Sequence, residues 1–343
     1  MTKIRIAING FGRIGRQAFK IALTKPELEV VAINDLTEPA VLAALLRYDS
    51  NYGPYDKVVS SDANKEKANP VTYSAGNIIV EGKKYPIFAE KDPAILPWKD
   101  LAVDVVLEST GRFITTEASS AHLKAGAKDE GITPTFVIGV NHDKYKNEKI
   151  ISNASCTTNC ISPVIAVLHG KFGIKKMIMS TIHSYTAEQN LVDGPPPGGK
   201  SNDLRRARAA AVNIIPTSTG ATIATTEAIP ELKGKLAGAA YRVPTPVGSL
   251  ADFILILNKN VTVEEVNKAF IEAAKLPLYS NVLEVTNDPI VSSDIIGNPH
   301  SAIVDLALTQ VVDGDMVKVV AWYDNEFGYS NRFVEQAIMI GKE

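Results

Sequence analysis

Apolar positions in this chain come in short bursts separated by polar turns, and the spacing within each burst predicts an element. Lys3-Ile4-Arg5-Ile6-Ala7-Ile8-Asn9 alternates in part and predicts a strand. Arg16, Ala18, Phe19, Ile21, Ala22 and Leu23 then follow a helical pattern. Val30 to Asn34 reads as a second strand, 39–47 as a helix opening on Pro39, and Tyr48 to Gly53 as a loop rich in turn formers. Val71–Tyr73 and Ile78–Val80, around Ala75-Gly76-Asn77, predict a hairpin. Val103 to Glu108 is a further strand that runs into Ser109-Thr110-Gly111, and Glu117 to Lys124 a helix closed by Gly126. Strand-like Ile150-Ile151 and an apolar run from Ile161 to Leu168 flank a turn that carries a cysteine. Lys176 to Ile182 predicts a buried strand ending at His183. The only biased segment, Gly194-Pro195-Pro196-Pro197-Gly198-Gly199, is expected to be a loop, because proline cannot continue a helix or a central strand.

The first strand leads straight into Gly10-Phe11-Gly12-Arg13-Ile14-Gly15, a G-x-G-x-x-G run in the strand-turn-helix setting that gives it meaning. Such glycines permit a tight turn, let backbone amides approach a pyrophosphate, and allow a helix to pack closely on its strand. The next strand ends in Asp35, about 20 residues beyond Gly15, where a carboxylate can take ribose hydroxyls. Its charge would repel a 2′-phosphate, and 36–39 supplies no arginine to bind one, so NAD is expected over NADP.

Cys156 lies in Ser155-Cys156-Thr157-Thr158-Asn159-Cys160, at a predicted strand-to-helix turn. Free amides and the positive end of a helix favour a thiolate there, and small hydroxyl neighbours supply donors to an oxyanion or phosphate. His183, just past its strand, is placed to pair with Cys156 as an ion pair and to act as general base or acid. Of the other histidines, His122 falls on a helix expected at the surface, His169 near a helix end, and His142 and His300 in turns.

At 343 residues the chain suits two domains, and a net charge of −2 without a long basic run gives no reason to expect nucleic acid as main partner. No apolar stretch approaches the roughly 18 residues of a membrane span, and the first residues lack a signal-peptide pattern. Two cysteines, Cys156 and Cys160, make no disulfide framework, so a reducing cytoplasm is expected. No histidine motif accompanies the C-x3-C pair, and no metal is expected.

Long blocks of the sequence resemble the phosphorylating glyceraldehyde-3-phosphate dehydrogenases of bacteria. They include 8–16, 152–160 and Thr181-Ile182-His183-Ser184-Tyr185-Thr186. Asp203-Leu204-Arg205-Arg206-Ala207-Arg208, 215–220, 242–246 and 322–329 extend the likeness, which runs from Lys3 to about Ala337. The resemblance implies an α/β protein: a Rossmann-type NAD-binding domain over 1–154, completed by the C-terminal helix within 325–343, and an α+β catalytic domain over 155–324 with a mixed or antiparallel sheet. It implies that Cys156 attacks the aldehyde of glyceraldehyde 3-phosphate with His183 as base. Hydride then passes to NAD, and inorganic phosphate releases 1,3-bisphosphoglycerate from a thioester. Thr186 and Arg242 match the substrate-phosphate side, and Ser155, Thr157, Thr219 and Gly220 the attacking-phosphate side. Gly10, Gly12, Arg13, Ile14, Gly15, Asp35, Lys91, Thr110 and Asn325 match the cofactor site, and Pro195 a proline associated with NAD preference. A homotetramer is implied. Erythrose-4-phosphate dehydrogenase is the related alternative, and a non-catalytic NAD-binding scaffold the alternative of another class.

Two departures from the family pattern stand out. The loop before Asp203 is longer and richer in proline. More seriously, the family carries an apolar strand and a Ser-Ala-Pro segment between the helix matching Glu117–Lys124 and the strand matching Thr135–Val140. Here 125–128 passes directly to 129–134, a shortfall of about eight or nine residues, near one strand with its turn. Loss of a buried parallel strand is expected to expose a sheet edge and leave a groove. Thr135–Val140 then shifts and repacks, or the chain is a compromised relative, or the sequence omits residues.

Overall fold

The computed structural model describes residues 2–63, 75–126, 133–195 and 203–342. They fall into two compact units, one of 2–134, 146–152 and 330–342, the other of 135–145 and 153–329. The Val71–Tyr73 arm of the expected hairpin, the segment after Gly126 where the family strand is missing, and most of the proline-rich loop lie outside the described residues.

In the first unit, β1 (Ile4–Asn9), α1 (Arg13–Ala22), β2 (Leu28–Asn34) and α2 (Pro39–Arg47) follow in the order the hydrophobic pattern predicts. The Tyr48–Gly53 loop is bracketed by two minimal strands, β3 (Tyr48–Asp49) and β4 (Gly53–Pro54), paired with each other. β5 (Val59–Ala63), β6 (Gly76–Val80) and β7 (Lys83–Phe88) form an antiparallel run, and β8 (Val105–Glu108) follows. The six-stranded sheet has the order β5-β6-β7-β2-β1-β8, with the β7-β2, β2-β1 and β1-β8 pairs all parallel. β1 is buried at nearly every position, as a central parallel strand must be. Edge-to-face rings of Phe11, Phe19 and Tyr85 pack this core, with centroids 5.4 and 5.0 Å apart.

The expected Glu117–Lys124 helix is broken into two single turns, α3 (Thr116–Ser119) and α4 (Ala121–Lys124). His122 is buried rather than on a surface helix, because Trp98 Nε1 donates to its Nδ1 at 3.1 Å and its Nε2 meets Glu108 Oε2 at 3.0 Å. β8 is the last strand of its sheet among the described residues.

The expected strand over Thr135–Val140 shrinks to a single bridge at Thr135 followed by a turn at 138–140. The Asn141 side chain holds it closed, accepting from Val137 N at 2.7 Å and donating to Thr135 O at 2.9 Å, while Val137 is fully buried in the core of the second unit. Nor do Ile150-Ile151 form a strand; only Ser152 makes a single bridge.

The second unit continues with α5 (Cys156–Phe172), β9 (Ile174–Ser184), β10 (Ile215–Ser218), α6 (Ala221–Ala228), β11 (Leu236–Val243) and β12 (Ser249–Leu257). Then come α7 (Val263–Ala273), β13 (Leu283–Thr286), β14 (Ala302–Asp305), β15 (Gln310–Val312), β16 (Met316–Tyr323) and α8 (Phe327–Gly341), whose residues from Ser330 belong to the first unit. Seven strands run β10-β11-β9-β12-β16-β14-β13, and β15 joins β16, a mixed sheet in which only β11-β9 and β13-β14 are parallel. β12 alternates buried and more exposed positions, the mark of a sheet with one covered face. That face packs on α5, α6 and α7 through Ile161, Val164, Leu168, Ala221, Val266 and Phe270. The opposite direction carries Ile178 and Ile254, cross-strand partners that are both exposed. No helix among the described residues is long and apolar enough to cross a membrane.

Candidate active site

In the first unit the glycine-rich turn is shaped by sterics. Gly10 has φ +91°, and a Cβ there would meet Thr110 N at 2.8 Å; a Cβ on Gly15 would lie 2.0 Å from the Gly10 carbonyl oxygen. Only hydrogen fits at either position. Gly12 caps α1, and a Cβ built on it meets nothing within 4 Å, so its backbone faces open space at a helix N-terminus. This is a cradle into which a pyrophosphate fits. Asp35 is bound to that turn: Oδ2 accepts from Phe11 N at 2.7 Å and Oδ1 from Thr37 N at 2.9 Å.

Ile14 is half-buried in the first turn of α1, and Thr110 donates its amide to Glu108 Oε1 at 2.8 Å at the end of β8. Arg13 opens α1 next to this turn. Its guanidinium forks onto Asp49 at 2.7 and 3.2 Å, which leaves its backbone facing the cradle. Lys91 is exposed on the loop after β7.

In the second unit Ser155 is the N-cap of α5, its Oγ accepting from Thr158 N at 3.0 Å, and Cys156 is the first residue of that helix. Ala154 before them has φ 57°, a left-handed backbone that costs a residue with a Cβ about 1–2 kcal/mol. The sharp turn it makes leads directly into the first turn of α5.

Cys156 Sγ lies 3.4 Å from His183 Nε2. His183 sits within β9, not past its end, because β11 and β12 pair with it on both sides through this residue's neighbourhood: Arg242 is opposite His183, and Leu250 opposite Ile182. The Ser184 carbonyl, 2.7 Å from Nδ1, takes the proton on that nitrogen and leaves the Nε2 lone pair facing the thiol. Burial, and next the Arg242 charge, push the His183 pKa down to about 3. Burial pushes the Cys156 thiol up, although Arg242, the Thr157 hydroxyl and backbone amides pull the other way. Burial thus acts against charge on both members of the pair, while Arg242 and the helix-start amides favour a thiolate. Four residues on, Cys160 is fully buried and its thiol raised further.

Arg242 projects from β11 beside this pair. Its NH1 approaches His183 Nδ1 at 3.0 Å, Ser184 O at 3.1 Å and Thr186 Oγ1 at 3.4 Å, so the structure joins Arg242 and Thr186. Glu188, which the sequence did not single out, completes the cluster: it bonds Arg242 NH2 at 3.1 Å and Arg206 NH1 at 2.7 Å.

The other hydroxyls are engaged locally. Thr157 is buried with Oγ1 on Tyr323 OH at 2.9 Å, which ties the first turn of α5 to β16. Thr219 Oγ1 accepts from Ala221 N at 3.2 Å, and Gly220 is the exposed N-cap of α6. Tyr323 was missed as a site residue; it also bonds Thr181 at 2.8 Å, and its ring meets that of His183 edge-on. Asn325 is buried, with Oδ1 accepting from Gly248 N and Ser249 Oγ at 3.0 Å each.

Two family models match the chain. Residues 4–116 match the one described as glyceraldehyde 3-phosphate dehydrogenase, NAD binding domain, and 155–325 the one described as its C-terminal domain. The chain is 50% identical to glyceraldehyde-3-phosphate dehydrogenase 1 of Bacillus subtilis (strain 168) over 349 aligned positions, covering 99% of each chain. It is 49% identical to glyceraldehyde-3-phosphate dehydrogenase of Geobacillus stearothermophilus, again over 99% of each. With that of Borreliella burgdorferi it shares 48% over 97% of this chain and 98% of the relative. An alignment of 349 positions is longer than the 343-residue chain, so part of the Bacillus relative has no counterpart here. Matches to both domain models and identity near one half over almost the full length show that the chain belongs to the glyceraldehyde 3-phosphate dehydrogenase family.

Proposed function

We propose that this protein oxidises D-glyceraldehyde 3-phosphate with NAD and inorganic phosphate to 1,3-bisphosphoglycerate, through a hemithioacetal and then a thioester on Cys156. The observation that carries this reading is the Cys156 Sγ to His183 Nε2 approach at 3.4 Å, at the first residue of a 17-residue helix. As sulfur attacks the carbonyl carbon, the thiol proton moves to the free lone pair of Nε2. The Ser184 carbonyl keeps the ring in the tautomer that can receive it. The amides at the start of α5 lie where negative charge develops. NAD, when bound, accepts the hydride that turns hemithioacetal into thioester. A thioester retains enough free energy for phosphate to displace it and leave an acyl phosphate, which regenerates the Cys156 sulfur.

The glycine cradle, Thr110 and Asp35 are the residues that would hold NAD, joined by Asn325 and, at the adenosine end, Lys91. Thr186 and Arg242 would grip the substrate phosphate, the guanidinium through two donors. Ser155, Thr157, Thr219 and Gly220 would serve the attacking phosphate. The NAD-binding domain is assigned to 1–154 with the C-terminal helix of 325–343, and the catalytic domain to 155–324. We assign the working form to a homotetramer in the cytoplasm; the exposed Ile178–Ile254 pair on the large sheet supports an oligomer. Mass spectrometry of protein mixed with NAD and substrate without phosphate tests the chemistry: an acyl group on Cys156, discharged by added phosphate, is expected. Turnover without any acylated Cys156 would sink the covalent route.

A further inference from the structure

The cation cluster beside the catalytic pair already holds an anion, and that anion belongs to the protein. Glu188 Oε1 accepts from Arg242 NH2 at 3.1 Å and from Thr186 Oγ1 at 3.2 Å, and Oε2 pairs with Arg206 NH1 at 2.7 Å. The two arginines are held from behind. Arg206 Nε donates to Thr217 Oγ1 at 3.0 Å and lies 3.3 Å from Asp203, which itself accepts from Thr217 at 2.8 Å. Arg242 NH1 donates to the Ser184 carbonyl, and its side chain is only 11% exposed. Glu188 is different: its side chain is 50% exposed, and it stands on the 185–190 loop that follows β9. The guanidinium groups are thus fixed and the carboxylate is the partner free to swing away. Arg242 Nε is buried with no hydrogen-bond partner, so the arginine retains donor capacity that the carboxylate does not use.

We propose that Glu188 is an internal competitor for the substrate's phosphate. It neutralises Arg206 and Arg242 when the site is empty, and it must be displaced when a phosphorylated aldehyde binds. This inference rests on the reading in which Thr186 and Arg242 hold that phosphate. Two largely buried guanidinium groups with only Asp203, beside Arg206, to balance them would be costly, and the Glu188 carboxylate offsets that cost. A ligand therefore gains only what its anion offers beyond a carboxylate. A phosphate dianion, with more charge and three acceptor oxygens, exceeds it, whereas an aldehyde bearing a single carboxylate does not. The internal carboxylate thereby excludes aldehydes that carry a weaker anion, while it lowers affinity for the phosphorylated one.

Glu188→Gln tests this, since it removes the charge with little change of shape at an exposed position. Inorganic sulfate is titrated calorimetrically into the wild-type protein, Glu188→Gln and the double variant Glu188→Gln/Arg242→Gln. In parallel, kcat/KM is compared for glyceraldehyde 3-phosphate and for glyceraldehyde lacking phosphate. Sulfate is expected to bind about tenfold tighter to Glu188→Gln, equivalent to about 1.4 kcal/mol, with the gain lost in the double variant. The ratio of kcat/KM between phosphorylated and unphosphorylated aldehyde is expected to rise by a similar factor. Unchanged or weaker sulfate binding in Glu188→Gln overturns the proposal, because a residue that merely orients the arginines would give that result. A gain that survives in the double variant also overturns it, since the anion would then sit elsewhere. Tighter sulfate without aldehyde oxidation by the wild-type protein would retain the competitor and sink the dehydrogenase reading alone.

Discussion

The ring of Tyr323 meets that of His183 edge-on, with centroids 5.9 Å apart and planes at 74°, and its hydroxyl is anchored to both Thr157 and Thr181. One buried tyrosine on β16 thus backs the imidazole from β9 and ties the first turn of α5, which carries Cys156, to the same sheet. Tyr323→Phe keeps the ring but leaves two buried threonine hydroxyls short of a partner. Stability should fall by about 1–2 kcal/mol. As the anchor to α5 slackens, kcat should fall about three- to tenfold while KM for the phosphorylated aldehyde stays the same. Urea unfolding and steady-state kinetics measure the two; a raised KM with unaltered kcat would contradict a role in aligning the pair.

His183 supplies a pH signature. The folded chain holds its imidazole neutral, with the pKa pushed down to about 3, whereas the unfolded chain titrates near 6.5. Between those values the unfolded state binds more protons, so acidification there removes stability, by up to about 1.4 kcal/mol per pH unit from this group. Above about pH 6.5 the contribution is complete. Denaturant midpoints from pH 7 to 4 should therefore drop more steeply for the wild-type protein than for His183→Gln. Parallel curves would show that the buried imidazole does not titrate as described.

The fork of Arg242 offers a test of the phosphate grip. Arg242→Lys keeps one charge but cannot reach Ser184 O, Thr186 and Glu188 from a single plane. KM for glyceraldehyde 3-phosphate should rise about 10- to 100-fold, on the strength of charge-assisted bidentate bonds. The KM for unphosphorylated glyceraldehyde should change far less. Equal rises for both would place Arg242 outside phosphate recognition.

Gly15→Ala tests the cofactor cradle. The new methyl carbon would stand 2.0 Å from the Gly10 carbonyl oxygen, a contact that no side-chain rotation relieves. The first helix must move off β1, at a cost of more than about 3 kcal/mol, and NAD binding followed by fluorescence quenching should be lost. Gly12→Ala meets open space on the protein side, so it should fold normally and weaken only NAD binding. Normal folding and NAD binding by Gly15→Ala would refute the steric account of the motif.

How much of this was legible in the sequence depends on how local the cause is. The turn at Gly10–Gly15 was readable because its sterics act within a strand, a turn and a helix, and the pairing partner Asp35 follows at the end of the next strand. Cys156 at a helix start was readable for the same reason, with Ser155 as its cap. His183 was found, but its strand continues to Ser184 because β11 and β12 extend the ladder around it, which periodicity in one segment does not show. The buried His122 depends on Trp98 and Glu108, 24 and 14 residues away, and the turn at 138–140 on the Asn141 bracket and the Val137 pocket. Glu188 was illegible: a glutamate two residues past Thr186 reads as a solvated surface charge until Arg206 and Arg242 are seen to converge on it. The burial that weighs against charge on Cys156 and His183 is likewise something spacing does not reveal.

The most direct test of the central claim is NADH formation from glyceraldehyde 3-phosphate and NAD, with and without inorganic phosphate, for the wild-type protein and Cys156→Ser. Sustained turnover that requires phosphate and disappears in Cys156→Ser is the predicted result, and it would show that the shortened segment after Lys128 is compatible with the reaction. A folded protein that binds NAD yet produces no NADH, or turns over equally without phosphate, would contradict it.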